Sequence, residues 1–259
     1  MQGKCALITG STQGLGLAAA QQFAAAGCHV VLNGFASTDE IASIRAGIEQ
    51  AYGVRTLYAD ADLRIPGHID AMISAAVDAF GAVDILVNNA VVRHAAPVES
   101  FPPERWDEGL AVNLSAAFHT IRLALPGMKQ RGWGRIINVS SIYGLRAAPN
   151  RVAYVTTKTA LLGLTRAVAL ETLGQDITCN AICPGTLPTP DIMTRIGKLA
   201  AAKDIGEEAA IREYLAGRRP AGRFVEPESV AELIAFLCGP AGRDITGAVL
   251  PVDGGWTAA

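Results

Sequence analysis

The sequence predicts an α/β protein built on a single doubly wound parallel sheet of seven strands, with helices on both faces of that sheet. One observation is that short apolar runs, typical of strands buried on both faces, alternate along the chain with longer helical stretches. A second is that half of the 259 residues are apolar, which supports a large core. The length suits one large α/β domain, so we expect residues 1–259 to form a single domain.

The first apolar run, residues 5–8, leads directly into a glycine-rich turn and then a helix. Strand, glycine-rich turn and helix in this order indicate a dinucleotide site. Gly10 lets the chain turn, Gly14 lets the backbone approach a pyrophosphate, and Gly16 lets the helix pack on the strand. The helix N-terminus favours phosphate through its N–H groups and dipole. The alternative is that these glycines only mark a turn.

The second strand, residues 29–33, ends without the acidic residue that would bind the adenosine ribose. No Arg or Lys stands near Phe35 and Ala36, or in the glycine-rich turn, to receive a 2′-phosphate. The absent cations indicate NAD and not NADP as the cofactor, although the ribose-binding carboxylate is absent too.

A predicted helix over residues 39–52 and a strand over residues 55–59 precede Asp62. Asp62 follows that strand at the carboxyl edge of the sheet, where ligands bind in open α/β sheets. It is a candidate contact for the adenine amino group. Alternatively, it caps the helix that starts near Pro66.

The fourth strand, within residues 83–90, ends in Asn88 and Asn89, which can hold neighbouring backbone and the cofactor ribose together. A long helix over about residues 103–130 then carries Asn113. Asparagine inside a helix is often a surface residue, but Asn113 lies in an apolar stretch and would need a buried hydrogen-bond partner. A water molecule connected to Lys158 would be one such partner.

The fifth strand, residues 134–140, delivers Ser141 to the same edge, and a helix over residues 152–173 carries Tyr154 and Lys158. Residues four apart share a helix face, so the ammonium lies near the phenol and lowers its pKa. Ser141 can hydrogen-bond the substrate oxygen on which charge changes. Tyr-x-x-x-Lys alone is common on solvated helix faces, so the pair is informative only together with the other motifs.

The last elements are strands over residues 177–183 and 248–252 with a helix over residues 228–238 between them. The segment of about residues 186–224, which includes Arg218, Arg219 and Pro220, is too long for a connection. It is predicted to be a helical lid over the substrate.

Composition excludes several other functions. The net charge is −2 with no basic tract, so neither nucleic acid nor an anionic membrane is an expected partner. No apolar run approaches the ~20 residues of a membrane span. The five cysteines contain no Cys-x-x-Cys pair and indicate reduced thiols in the cytoplasm. The four histidines form no cluster, so no metal is expected.

Together these motifs resemble the short-chain dehydrogenase/reductase family, over essentially the whole chain and in order and spacing. The motifs are Thr9-Gly10-x-x-x-Gly14-x-Gly16, Asn88-Asn89-Ala90, Asn113, Ser141, Tyr154-x-x-x-Lys158 and Pro184-Gly185. The resemblance implies a Rossmann-type fold in which Tyr154 is the acid/base and Ser141 positions the substrate oxygen. It also implies that Lys158 lowers the pKa of Tyr154 and binds the nicotinamide ribose, and that Asn113 anchors a water of the proton relay.

The same resemblance implies the cofactor contacts, among them Thr189 at the nicotinamide carboxamide. The predicted contacts are Gly10, Thr12, Gln13, Gly14, Leu15, Gly16, Phe35, Asp62, Leu63, Asn89, Ala90, Tyr154, Lys158, Pro184, Gly185 and Thr189. Val91 departs from the family, which usually has glycine there, and this branched side chain puts cofactor affinity in question. The family also implies a homotetramer.

Within the family, residues 31–35, 113–116, 181–185 and 252–257 resemble bacterial 3-hydroxybutyrate dehydrogenases most. That resemblance also supports NAD, but the substrate pocket differs. Arg93, Tyr143 and Arg151, and with a less secure alignment Arg195, stand where those enzymes have glutamine, histidine, lysine and glutamine. Thr186 replaces a tryptophan. Trp256 is retained.

Arginine binds carboxylate, phosphonate or sulfonate oxygens through a planar fork, so several arginines in one pocket predict an anionic hydroxy acid. We therefore expect a small anionic hydroxy acid related to 3-hydroxybutyrate, including larger acids or acids with an additional anionic group, and we do not expect 3-hydroxybutyrate itself to be the best substrate. The expected substrate contacts are Arg93, Ser141, Tyr143, Arg151, Thr186, Arg195 and Trp256. Alternatively, individual arginines face solvent or pair with Glu99, Asp107 or Asp191.

Two other functions compete with this hypothesis. One is another oxidoreductase on the same fold, a sugar or cyclic-diol dehydrogenase or an NADPH-dependent 3-oxoacyl reductase. The other is a non-catalytic protein that binds a dinucleotide, which the complete set of catalytic-type residues disfavours.

Overall fold

The structure of the protein is a computed structural model that describes residues 1–216 and 222–258, except for the side chain of Asp191. Arg218, Arg219 and Pro220 of the predicted lid lie outside the described residues. Within those described ranges, no helix has the length and apolar character that crossing a bilayer requires. The same part of the chain contains no group of three or more His, Cys, Asp and Glu side chains that could hold a metal ion.

Seven strands form one parallel sheet in the order β3-β2-β1-β4-β5-β6-β7. The strands are β1 (Cys5–Ile8), β2 (His29–Asn33), β3 (Thr56–Ala59), β4 (Ile85–Asn88), β5 (Trp133–Val139), β6 (Asp176–Pro184) and β7 (Val249–Val252). The predicted doubly wound parallel sheet is confirmed. Its strands are apolar runs because both faces of the sheet are covered.

The described helices are α1 (Gly14–Ala25), α2 (Thr38–Tyr52), α3 (Pro66–Phe80), α4 (Pro103–Leu110), α5 (Ala116–Arg131), α6 (Val152–Glu171), α7 (Pro190–Lys203), α8 (Glu207–Leu215) and α9 (Pro227–Cys238). Local sequence sets their ends, as α2 illustrates. Ser37 and Glu40 form a reciprocal capping box at its start, and Gly53 ends it in the left-handed conformation.

The predicted helix over residues 103–130 is interrupted in the structure. A π-helical turn, Ala111–Ser115, separates α4 from α5 and carries Asn113. Such a turn places one extra residue in the helix and often occurs at functional sites. Here it allows the Asn113 side chain to bond the backbone N–H and carbonyl of Val92.

The core has two layers because side chains alternate across each strand. Ile8 faces one layer and packs with Phe23 of α1 and Ile234 of α9. Leu7 faces the opposite layer, which contains Ile69 of α3. These side chains are fully buried, and each contributes about 1.5–3 kcal/mol of apolar burial.

The chain proceeds from β1 to β2 and β3 on one side, and then returns to place β4 on the other side of β1. A crevice opens at such a reversal, above the carboxyl ends of the strands. The segments that follow β1, β2, β3, β4, β5 and β6 all reach this crevice.

The helices α7 and α8 pack on each other around a small hydrophobic cluster of their own, which includes Ile196, Ala210, Leu215 and Phe224. They lie between β6 and α9 in the chain, within the predicted lid of residues 186–224. Their action as a lid stays a prediction.

Candidate active site

A cavity of about 640 Å³ occupies the crevice at the carboxyl edge of the sheet. Every residue predicted to contact the cofactor borders it: Gly10, Thr12, Gln13, Gly14, Leu15, Gly16, Phe35, Asp62, Leu63, Asn89, Ala90, Tyr154, Lys158, Pro184, Gly185 and Thr189. The fold therefore gathers into one cavity residues that are up to 179 positions apart in the sequence.

The glycine-rich turn forms one end of the cavity. Gly10 and Gly14 have positive φ angles of 64° and 54°, which residues with side chains rarely adopt. A Cβ atom on Gly16 would lie 2.1 Å from the carbonyl oxygen of Gly10, so α1 approaches β1 as closely as the sequence predicts. No side chain caps α1, which leaves its first N–H groups facing the cavity end.

Asn33 at the end of β2 is a positioning residue that the sequence analysis did not single out. Its amide nitrogen Nδ2 donates to the carbonyl oxygens of Ala59 and Ala61, at 3.2 and 3.0 Å. Its Oδ1 accepts from the backbone N–H of Gly10 at 3.4 Å. Asn33 thus joins the glycine-rich turn to the end of β3. A polar residue that ends a buried apolar strand was the available signal.

Asp62 borders the cavity, and Arg64 holds its carboxylate through hydrogen bonds of 2.6 to 3.0 Å. These bonds from Arg64 hold the pKa of Asp62 below its usual range. The alternative that Asp62 caps the next helix is wrong. Ile65 is the N-cap residue of α3, and the Asp62 carboxylate accepts instead from the Arg64 backbone and guanidinium. Its contact with adenine stays a prediction.

The paired asparagines after β4 have different partners. Asn89 donates to the carbonyl oxygens of Thr9 and Gly10, at 3.0 and 2.9 Å, and so fixes the glycine-rich turn. Asn88 is buried and donates to Asn138 Oδ1 at 2.9 Å. Val91 borders the cavity next to them.

Ser141, Tyr154 and Lys158 all border the same cavity. Ser141 follows β5, whereas Tyr154 and Lys158 share one face of α6. The Lys158 Nζ atom donates to the carbonyl oxygen of Val139 at 2.7 Å and lies 5.9 Å from the centre of the Tyr154 ring. The Ser141 hydroxyl accepts from the N–H of Tyr143 at 3.2 Å and also faces the Tyr154 phenol, whose pKa a hydrogen bond from Ser141 helps to lower.

Burial and nearby charges act in opposite directions on Tyr154. Burial raises the pKa of the phenol, but the cations of Arg93 and Lys158 outweigh it and hold that pKa below 10. Burial also lowers the pKa of Lys158 to about 8, although the neighbouring Tyr154 opposes this shift. Lys158 is therefore still largely a cation near neutral pH. The site favours a phenolate in a place where water is scarce.

Asn113 has the buried hydrogen-bond partners that its position requires. Its Oδ1 accepts from the N–H of Val92 at 2.8 Å, and its Nδ2 donates to the Val92 carbonyl at 3.0 Å. A second cavity of about 10 Å³ lies between Asn113 and Lys158, roughly the room that one water needs. The π-helical turn thus connects α5 to the segment after β4. The water relay stays a prediction.

The residues predicted to bind substrate are placed unequally. Arg93 and Ser141 border the cavity, whereas Tyr143, Arg151, Thr186, Arg195 and Trp256 do not. Tyr143 packs edge-on against both Tyr154 and Trp256, with ring centres 6.2 and 5.9 Å apart.

The predicted convergence of three arginines is therefore limited to Arg93. Arg151 lies at the N-cap of α6, and Arg195 projects from an exposed position of α7. The Arg93 guanidinium lies 5.6 Å from the centre of the Tyr154 ring. Within the described part of the chain, no carboxylate forms an ion pair with it.

Glu108 of α4 is a second cavity residue that sequence reasoning missed. Its carboxylate accepts from Arg105 and contacts the ring of His94, each at 2.9 Å. The hydrogen bond from Arg105 holds the pKa of Glu108 below its usual range, and His94 adds to this effect. Glu108 is therefore ionised and already paired.

Comparisons with known proteins agree with this arrangement. A family model described as enoyl-(acyl carrier protein) reductase matches residues 10–257. The D-beta-hydroxybutyrate dehydrogenase of Cupriavidus necator is 46% identical over 259 residues, covering 100% of this chain and 99% of that protein. The enzyme of the same name from Rhizobium meliloti is 45% identical over 255 residues, covering 98% and 99%. The solved structure of L-sorbose reductase from Gluconobacter frateurii with NADPH and L-sorbose has a TM-score of 0.94 at 31% identity, covering 100% of this chain and 98% of that one.

Proposed function

This chain belongs to the short-chain dehydrogenase/reductase family, and on that premise we propose that it is an NAD(H)-dependent oxidoreductase. It interconverts a secondary alcohol and a ketone on a small anionic hydroxy acid related to 3-hydroxybutyrate. The proposal of an anionic substrate rests on the position of Arg93. Its guanidinium borders the same cavity as Ser141 and Tyr154 and has no carboxylate partner among the described residues.

The cavity fits a nicotinamide dinucleotide. The turn with Gly10 and Gly14 and the uncapped N-terminus of α1 suit a pyrophosphate, and the cavity continues from there to Tyr154. When bound, such a cofactor supplies the acceptor or donor of hydride. The protein's part is to hold the cofactor and substrate together and to move the proton.

In the oxidation direction, the Oη atom of Tyr154 takes the proton of the alcohol while the Ser141 hydroxyl donates a hydrogen bond to the alcohol oxygen. Lys158 stabilises the phenolate beforehand. In reduction, Tyr154 returns the proton to the ketone oxygen. Asn113 is proposed to hold the water that connects Lys158 to solvent.

The preference for NAD rests on the surroundings of Phe35. Phe35 is 73% exposed, and the carbonyl oxygen of this residue accepts from Thr12 Oγ1 at 3.3 Å. No cation stands beside it at Ala36, Thr12 or Gln13 to neutralise a 2′-phosphate. Arg64 borders the cavity, but the carboxylate of Asp62 already occupies its guanidinium.

Arg93 is placed to hold a remote anionic group while the reacting carbon lies at Tyr154. A charge-assisted contact of this kind contributes about 1.5–3 kcal/mol. We also propose that the other predicted residues contact the substrate: Tyr143, Arg151, Thr186, Arg195 and Trp256. Contacts from Thr186 and Arg195 require the segment of residues 186–224 to act as a lid over the substrate.

An uncharged sugar or cyclic diol is the second candidate substrate. It is favoured by the likeness to L-sorbose reductase and by the absence of Arg151 and Arg195 from the cavity wall. A 3-oxoacyl reductase would need NADPH, which the surroundings of Phe35 disfavour.

We also propose a cytoplasmic homotetramer. All five cysteines are free and buried, as expected for reduced thiols. Phe118 on α5 and Leu170 on α6 are 49% and 69% exposed, which suits helices that contact another subunit. Light scattering of the purified protein would measure the assembly.

The substrate proposal is tested with hydroxy acids of different chain length, each paired with its neutral methyl ester, by following NADH absorbance. Arg93→Met should raise KM for the acids by roughly ten- to a hundredfold and leave KM for the esters unchanged. Arg243→Met, at an exposed position after α9, is the matched control and should resemble the parent. If Arg93→Met leaves every acid unchanged, or the parent prefers the esters, an uncharged substrate replaces the anionic one.

A further inference from the structure

Two cations from different parts of the chain approach the Tyr154 ring. Lys158, one turn along α6, lies 5.9 Å from the ring centre, and its ammonium is anchored to the Val139 carbonyl. Arg93, in the segment after β4, has its guanidinium carbon 5.6 Å from the ring centre. Arg93 is as close to the phenol as the lysine is. Its charge is not neutralised by any carboxylate of the described residues.

The remaining groups around Tyr154 do not compensate this charge. Ser141 and Tyr143, which face the phenol from the segment after β5, are uncharged donors and acceptors. Glu108 borders the cavity from α4, but Arg105 and His94 already engage its carboxylate.

The Cys183 thiol of β6 lies beside Lys158 and stays neutral because burial raises its pKa. The cations are therefore the charges that act on Tyr154. After burial, which raises the pKa of Tyr154, Arg93 has the largest effect and lowers that pKa, and Lys158 follows.

We propose that Arg93 is a second cation of the proton-transfer group, which favours the Tyr154 phenolate until the anionic group of the substrate pairs with the guanidinium. The proposal rests on the proposed function, because it requires Tyr154 to be the proton acceptor. Arg93 would thus be both the anion-binding residue and an electrostatic regulator of the base.

The consequence is a base whose strength changes as substrate binds. Before binding, the unpaired guanidinium lowers the pKa of Tyr154 and so favours the phenolate. A substrate carboxylate then neutralises Arg93, so the phenolate holds a proton more tightly just when the alcohol oxygen arrives. The alcohol proton passes to Tyr154 Oη. An oxidised dinucleotide, when bound, would accept the hydrogen of the carbon–hydrogen bond together with its electron pair, and the alcohol would become the ketone.

The direct test is a titration without turnover. The phenolate absorbance of Tyr154 is isolated as the difference between the parent and Tyr154→Phe, and between Arg93→Met and the double variant. Tyr154 should titrate at higher pH in Arg93→Met, while Arg93→Lys should stay near the parent. Adding an unreactive carboxylate analogue should move the Tyr154 titration of the parent to higher pH. The same analogue should leave the Tyr154 titration of Arg93→Met unchanged. An identical titration in parent and Arg93→Met overturns the proposal.

The kinetic test uses a neutral alcohol, so that loss of anion binding cannot contribute. In Arg93→Met, the rising limb of kcat/KM for oxidation should move to higher pH. At pH values below this limb, kcat/KM of Arg93→Met should be lower than that of the parent by roughly three- to a hundredfold. This range is the effect of one charge at this distance, from the dielectric constant of water to that of a partly buried site. Arg243→Met should leave the limb in place.

The two proposals fail in different ways. If the enzyme does not turn over anionic acids but Arg93→Met still shifts the Tyr154 titration, the proposed substrate is wrong and the electrostatic role of Arg93 stands. If Arg93→Met loses the preference for acids but its Tyr154 titration matches the parent, the proposed substrate stands and the electrostatic role of Arg93 is wrong.

Discussion

Replacing Gly16 by alanine tests the close packing on which the cofactor site depends. The new Cβ would lie 2.1 Å from the Gly10 oxygen and 2.6 Å from the Asn89 amide nitrogen, whereas ordinary contacts begin at 3.4 Å. The backbone of the turn or of α1 must therefore move by about 1 Å. Such overpacking costs about 1–3 kcal/mol. Displacing Asn89 also weakens its two bonds to the turn, each contributing about 0.5–1.5 kcal/mol.

The expected loss of stability for Gly16→Ala is about 2–6 kcal/mol, so Tm should fall by roughly 4–24 °C in a chain of this size. The dissociation constant for NADH should rise about tenfold or more, because the turn would no longer present its N–H groups correctly. Calorimetry and NADH fluorescence measure the two effects.

Gly47→Ala is the control for Gly16→Ala. Gly47 lies inside α2, and a Cβ there would meet nothing within 4 Å. It should stabilise the protein by about 0.5–1 kcal/mol and leave NADH binding unchanged. A Gly16→Ala variant that melts within about 2 °C of the parent and binds NADH equally well would refute the close approach of α1 to β1.

Two further predictions concern cofactor choice and pH. The parent should show a higher kcat/KM with NADH than with NADPH, and Ala36→Arg should narrow that difference; a parent that prefers NADPH would overturn the assignment. Burial lowers the pKa of Lys158 from 10.5 to about 8, so between these pH values the unfolded chain holds a proton that the folded chain has lost. The unfolding free energy should therefore rise with pH over this range, by about 3 kcal/mol from this group. Lys158→Met should flatten that part of the curve of urea unfolding against pH, and an unchanged slope would contradict a buried ammonium.

The strands and the cofactor turn were predictable because local sequence determines them. Buried parallel strands such as Cys5–Ile8 are unbroken apolar runs, and the spacing of Gly10, Gly14 and Gly16 matches one backbone geometry. Tyr154 and Lys158 share a face through the helical repeat alone. The sequence could therefore predict the sheet and the side chains that reach its carboxyl edge.

Features that depend on distant partners were not predictable. The π-helical turn follows from the bonds of Asn113 to Val92, which is 21 residues away. The resemblance predicted Arg151 and Arg195 in the substrate pocket. Their placement depends on where α6 begins and how α7 is oriented, neither of which the spacing of residues specifies.

The central claim, an oxidoreductase in which Tyr154 moves the proton, is tested most directly by comparing the parent with Tyr154→Phe. The measurement is the rate at which each reduces NAD with the best hydroxy acid, together with the dissociation constant for NADH. The parent should turn over, and Tyr154→Phe should bind NADH nearly as tightly while its kcat falls about 10²- to 10⁴-fold, because the proton acceptor is missing. A Tyr154→Phe variant within about tenfold of the parent kcat would contradict the account.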